Sequence, residues 1–153
     1  MGRVKYAPIS TPAAGADWSF TPSGTDAIRV LAIIGTLTTS STADTRVPAL
    51  QLVSQDGEIV YQSAPSVSQV ASLADIWQWD ASQHGSSFAG LYAASESINT
   101  VAMPDMWIPH YWKYQSKTYL LQTGDQWSSL FAIYVDDFDP SESQVNAYNA
   151  SVT

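Results

Sequence analysis

The sequence predicts an all-β fold: an antiparallel, jelly-roll-like β-sandwich of about eight strands with an extended N-terminal arm. Three observations predict it. Between residues 17 and 135, apolar residues alternate with polar ones or cluster in short runs, and helical periodicity is weak throughout. Turn-forming residues separate these runs at roughly even intervals. Six Trp and eight Tyr supply the large side chains that suit sheet faces and cores. A length of 153 residues suits one domain.

The elements follow in chain order. Residues 1–16 hold Pro8, Pro12 and small residues, and carry Arg3 and Lys5 but no acid. This composition cannot bury a core, so the segment reads as an arm that orders on a partner, anchored by Tyr6, Pro8 and Ile9. The domain proper is expected over 17–138. Trp18–Thr21 opens it. Ala27–Thr39 is apolar on both parities, as for a strand buried on both faces. Val47–Val53 follows, with Pro48 near its start, and then Glu58–Gln62. Gln55-Asp56-Gly57 between them is a hairpin signal, because Gly accepts positive φ cheaply. In Ala71–Trp79, Leu73, Trp77 and Trp79 share one parity. Ile98–Met103 is stopped by Pro104. Lys117–Gln122 and Gln126–Val135 flank Thr123-Gly124-Asp125, which reads as a second hairpin. In the last strand Trp127, Phe131, Ile133 and Val135 are expected on one face. Residues 139–153 form an acidic, polar tail.

Composition excludes several chemistries. There is no Cys, hence no disulfide framework, thiolate metal site or Cys nucleophile. A net charge of −8 argues against duplex nucleic acid, which needs a basic stripe. Met1–Tyr6 carries two bases with no apolar run behind them, unlike a signal peptide. The longest aliphatic run, Val30–Ile34, is far too short to span a bilayer. The expectation is a soluble protein made in a cytoplasm, with no membrane partner.

Catalytic and metal constellations are weak. His84 and His110 lie 26 residues apart, and adding Asp80 or Asp105 does not produce metal-ligand spacing. No Gly-x-Ser-x-Gly or Ser-x-x-Lys pattern occurs. Asp136 and Asp137 would point to opposite faces of a continuing strand and could not flank one bond. No catalytic, cofactor or metal residue is assigned, and the expectation is a non-enzyme. The acidic stretch from Asp136 to Glu142 lacks the Gly of a tight calcium loop and reads as a solvated end.

The segment Met106-Trp107-Ile108-Pro109-His110-Tyr111-Trp112-Lys113-Tyr114 is the most informative. Four aromatics bracketed by Pro104 and Pro109 do not read as a regular strand or helix. The segment either caps the open end of the sandwich or forms a protein contact surface through Trp107, Tyr111 and Trp112. Stacking on a sugar is the third reading. Arg46 is either a solvated loop residue or half of an ion pair, with Asp44 or with an acid of another subunit.

Several stretches carry a family resemblance. They are Leu37-Thr38-Thr39-Ser40-Ser41-Thr42-Ala43-Asp44-Thr45-Arg46-Val47-Pro48, then Gln51-Leu52-Val53, then Asp56-Gly57-Glu58-Ile59-Val60-Tyr61. Gln69-Val70-Ala71-Ser72 and Gly124-Asp125-Gln126-Trp127 follow. Over residues 14–136 the chain resembles small β-sandwich virion proteins of tailed bacteriophages. The resemblance implies a structural role on the particle, foremost as a capsid cement or decoration protein bound across major capsid protein subunits. The contact residues would be Arg3, Lys5, Tyr6, Arg46, Trp107, Tyr111 and Trp112, in a homo-oligomer for which a trimer is favoured. The alternative is a carbohydrate-binding or adaptor module on the tail or neck.

Overall fold

A computed structural model describes residues 4–24, 26–63, 65–81 and 97–136 of the chain. Among these the chain forms ten strands: β1 Val4–Pro8, β2 Ser19–Phe20, β3 Ile28–Thr38, β4 Val47–Val53, β5 Ile59–Gln62, β6 Ala74–Asp80, β7 Ser97–Ala102, β8 Trp107–Ile108, β9 Lys113–Tyr119 and β10 Gln126–Asp136. No helix among the described residues is long and apolar enough to cross a membrane.

Two sheets pack face to face. The first runs β1-β10-β3-β6-β7, with β8 beside the start of β3, and the second runs β2-β9-β4-β5. With β7 and β8 set aside, β1-β10-β3-β6 facing β2-β9-β4-β5 is jelly-roll order, in which the chain changes sheet at most connections. The sandwich expected from the sequence is thus the fold observed. β7 and β8 are additions between β6 and β9.

Three expectations need correction. First, the sheet is not wholly antiparallel: β7 runs parallel to β6, with Asp75 opposite Ser97 and Asp80 opposite Ala102. Alternation of residue types encodes a strand's two faces, not the direction of its neighbour. Second, residues 4–9 are an integral edge strand of the chain's own sheet rather than an arm that orders on a partner. Val4 to Pro8 pair with Val135 to Phe131 of β10, and Ile9 is buried in the core. Ile9 donates its N–H to Leu130, so by alternation the Pro8 nitrogen faces the free edge, where no donor is needed. Third, Thr123-Gly124-Asp125 is not a hairpin. It joins strands of opposite sheets. The Asp56-Gly57 turn, by contrast, does close a β4–β5 hairpin, with Gly57 at φ +86°.

The core is built around tryptophan. Trp18, Trp77, Trp79 and Trp127 are fully buried, with ring centroids 5.6 Å apart for Trp18–Trp79 and 6.0 Å for Trp79–Trp127. Trp77 and Trp79 share the inward face of β6 as alternation predicts, whereas Leu73 is exposed. In β10 the pattern breaks. A register shift lies between Ser128 and Phe131, with Ser129 at φ +51°. The bulge turns Leu130 and Ala132 inward with Trp127 and puts Phe131 in a second, outward cluster with Ile34 and Ile76. A β-bulge of this kind reverses parity without interrupting the strand. β3 compensates near Leu31, where its own register shifts against Ile133 and Tyr134. Both faces of β3 are consequently buried.

One end of the sandwich is tied by a buried ion pair. Arg46 donates from Nε to Asp125 at 2.8 Å and from a terminal nitrogen to the other carboxylate oxygen at 3.0 Å. Both side chains are inaccessible to solvent. Arg46 also donates to the Asp44 carbonyl at 2.8 Å, and Asp125 accepts from the backbone N–H groups of Ser40 and Gln122, each at 2.8 Å. Gln69 extends the network. Its backbone exchanges two bonds with Arg46, and its side chain donates to the Leu37 and Leu73 carbonyls and accepts from the Trp77 indole N–H at 2.9 Å. Burial pushes the Asp125 carboxyl up, but the bonds from Arg46, Gln122 and Ser40 outweigh it and hold it down at about 2.

Asp125→Ala should therefore cost about 3–5 kcal/mol in urea unfolding, because it strands a buried guanidinium. The wild-type pair should contribute fully above about pH 4, the value of an unfolded-chain Asp, and be lost as pH falls through about 2. Acid titration of the unfolding midpoint, with Asp125→Ala flatter over that window, checks this.

Candidate functional site

A face with exposed apolar side chains lies at the opposite end of β3 from Arg46. There β8 pairs with the start of β3, Ile28 opposite Ile108 and Arg29 opposite Trp107. β10 pairs with the other edge of β3, Val135 opposite Arg29, and Val4 of β1 is opposite Val135. Val4, Val135, Arg29 and Trp107 thus form one row across four strands on the outward face. With strands about 4.8 Å apart, the row spans roughly 14 Å. Alternation sends Ile108 into the core and Trp107 out, where it is 47% exposed. Val4 and Tyr6 are more exposed still, and the Tyr6 ring packs at a tilt against Phe131 with centroids 5.3 Å apart.

Ion pairs brace this end. Arg29 grips Asp105 with two hydrogen bonds, one of 2.8 Å from a terminal nitrogen, and its hydrogen bond holds the Asp105 carboxyl below its usual value. Lys5 bonds Asp136, and that bond raises the Lys5 amine. Both pairs are partly open to water, so they position side chains more than they stabilise the fold.

The segment 106–114 is not a loose cap. It contributes β8, a turn closed by the Trp112 N–H on the Pro109 carbonyl at 3.1 Å, and the start of β9. Tyr114 is buried, and burial pushes its phenol up. Trp112 is half-buried against the core. Tyr111 is 51% exposed, its ring 3.7 Å from that of His110. Of the expected contact residues, then, the structure brings Tyr6 and Trp107 onto one face and leaves Tyr111 exposed in the following turn. Lys5 is paired within the chain. Arg46 is corrected: it is a core residue bound to Asp125 and offers no surface for a partner. Arg3, His84, Asp137 and the tail 139–153 lie outside the described residues.

Sequence reasoning missed Asp125 as the partner of Arg46, because 79 residues separate them. It also missed Val4 as an exposed apolar residue on the same face as Trp107. The alternation of Val4 and Tyr6 around Lys5 was the available signal.

Among the described residues, clefts open along the sides of the sandwich. One, of about 300 Å³, lies between β5 and β7 and includes Tyr61, Ser63 and Thr100. Another, of about 370 Å³, lies between β1 and β2 and includes Ile9, Ser19, Phe20 and Tyr134. Among the described residues neither is lined by a carboxylate, amine or imidazole. Among the described residues no three His, Asp or Glu side chains converge to hold a metal ion. No protein-family model matches the chain, and no curated protein matches it.

The two tryptophans of the segment should behave differently when truncated. Trp107→Ala should lower stability by less than about 1 kcal/mol, since the ring is largely solvated, and Trp112→Ala by about 2–3 kcal/mol. Urea unfolding of the two variants checks the assignment of one to the surface and the other to the core.

Proposed function

We propose that the protein is a non-enzymatic structural protein of a bacteriophage virion, a capsid decoration or cement protein that binds across major capsid protein subunits. The observation that carries the reading is the outward row Val4, Val135, Arg29 and Trp107, in which Val4 and Trp107 stand exposed on either side of the ion-paired Arg29, with Tyr6 next outward on β1 and Met106 and Tyr111 exposed near Trp107 in the chain. Monomeric proteins seldom leave large apolar side chains grouped in this way without a partner. Trp, Tyr and Met are the residues that dominate interface cores. The rigid jelly roll supplies the platform, and the sequence resemblance supplies the setting. Such a protein holds a shell by contact area summed over many copies, and needs no chemistry. It would assemble as a closed symmetric oligomer, a trimer at three-fold positions of the shell.

The experiment is to add the purified protein to particles lacking it and to image them by electron microscopy. Wild type should decorate the capsid surface. Trp107→Ala/Tyr111→Ala should keep its fold and lose about 30-fold or more in affinity, equivalent to about 2 kcal/mol. Full decoration by the double variant, or density at the neck or tail instead, would overturn the reading.

A further inference from the structure

The outward face of the second sheet has a different character from the aromatic end. Ser19, Gln115, Gln51 and Gln62 are direct neighbours across β2, β9, β4 and β5. The three glutamines form a directed chain of amides. Gln115 donates to Gln51 at 2.8 Å, Gln51 to Gln62 at 2.7 Å, and Gln62 to the Tyr119 hydroxyl at 2.9 Å. Tyr119 belongs to β9 and Gln62 to β5, so this last bond crosses β4. Gln51 is buried within this chain, so the donors left to a ligand are the second N–H groups of Gln115 and Gln62 and the Tyr119 O–H.

Lys113 and Lys117 flank the row on the same outward parity of β9 as Gln115 and Tyr119. Successive outward residues on a strand stand about 7 Å apart, which places the two lysines roughly 13 Å from each other. The other bases of the described chain, Lys5, Arg29 and Arg46, are each paired with an acid. Lys113 and Lys117 have no acid within ion-pair distance among the described residues. Asp17, the nearest carboxylate along β9, is turned to the other face, where it accepts from Ser116 at 2.7 Å and from the Thr118 hydroxyl at 2.6 Å. Asp56 and Glu58 stand at the hairpin beyond Val53. On a chain of net charge −8, the two unpaired ammoniums are therefore held on one flat, amide-lined face.

We propose that this face binds an acidic polysaccharide, the lysines meeting its carboxylates and the amide row its hydroxyls. Charge complementarity selects an anionic occupant. Ile59 and Val60 are exposed at the β5 edge, whereas the exposed side chains of β2 and β9 on this face, Ser19, Lys117 and Tyr119, are polar. This part of the face selects a sugar over a protein, because interface cores between proteins are depleted in Lys and rich in apolar side chains. A row of donors fixed by its own hydrogen bonds is already ordered and loses little freedom on binding. Tyr119, 43% exposed, offers a ring edge to a pyranose.

The test is native affinity electrophoresis of the full chain in gels containing alginate, with neutral dextran, dextran sulfate and polyglutamate alongside. Alginate should retard the wild type, and neutral dextran should not. Lys113→Gln/Lys117→Gln should weaken the alginate affinity about tenfold or more, and Gln115→Ala severalfold with both lysines present. Near-UV circular dichroism confirms that these surface variants keep the fold. Mobility unchanged by alginate, or a lysine variant that binds like wild type, would overturn the proposal. So would equal retardation by polyglutamate, which would point to an acidic protein surface, or by dextran sulfate irrespective of Gln115, which would leave charge alone. No particle enters the measurement, so its outcome is independent of the capsid reading.

Discussion

The Arg46–Asp125 pair fixes one end of the sandwich, and much of the rest depends on it. A jelly roll changes sheet at most connections, so its loops must be held in register by something other than ladder hydrogen bonds. Here one carboxylate binds the loop after β3 through Ser40, the start of β4 through Arg46, and the corner before β10 through Gln122. Gln69 brings the loop before β6 to the same cluster. Removing two charges from water is expensive, and the pair alone is weak grounds for a stable fold. Its value lies in being fully bonded and directional. An apolar replacement could fill the volume, but it could not dictate which loop meets which.

The economy of charge elsewhere follows the same logic. Among the described residues, three of the five bases are committed to named acids, and two of those pairs brace the opposite end of β3. The molecule thereby separates three regions: an end closed over a buried polar cluster, an end where Val4 and Trp107 stand exposed, and a sheet face where the remaining positive charge stands. The second and third are carried by strands, and the first by the loops that Arg46, Asp125 and Gln69 tie together.

How much of this was legible in the sequence depends on the range of the interaction that decides it. Local signals were sufficient for β4, the Asp56-Gly57 hairpin and the body of β3, because alternation and turn chemistry are settled within a few residues. Pairing partners were not. Asp125 was read as part of a hairpin because Gly-Asp between β-prone runs has the same local chemistry whether the chain folds back or crosses to another sheet. The first strand was read as an arm because an edge strand needs only one bonded side and one apolar row, which short Pro-containing segments can supply. The β10 bulge was invisible because Ser128-Ser129 carries no Gly to mark a positive φ. At the candidate contact surface, Trp107 and Tyr111 were recognisable by residue type, whereas separating them from Trp112 required knowing which parity β8 presents to the core.

The place of β10 between β1 and β3 has a consequence for how the chain is made. The first and last strands of the described fold are neighbours, and the last strand fills the middle of its sheet. During synthesis β1 has no partner, and one edge of β3 stays open, until residues 126–136 have left the ribosome. Contacts of such long sequence separation are expected to make folding slow. Until the last strand inserts, β3 presents an unpaired, strongly apolar edge, the kind of surface that invites association between nascent chains. The hazard grows with the number of nascent chains present together.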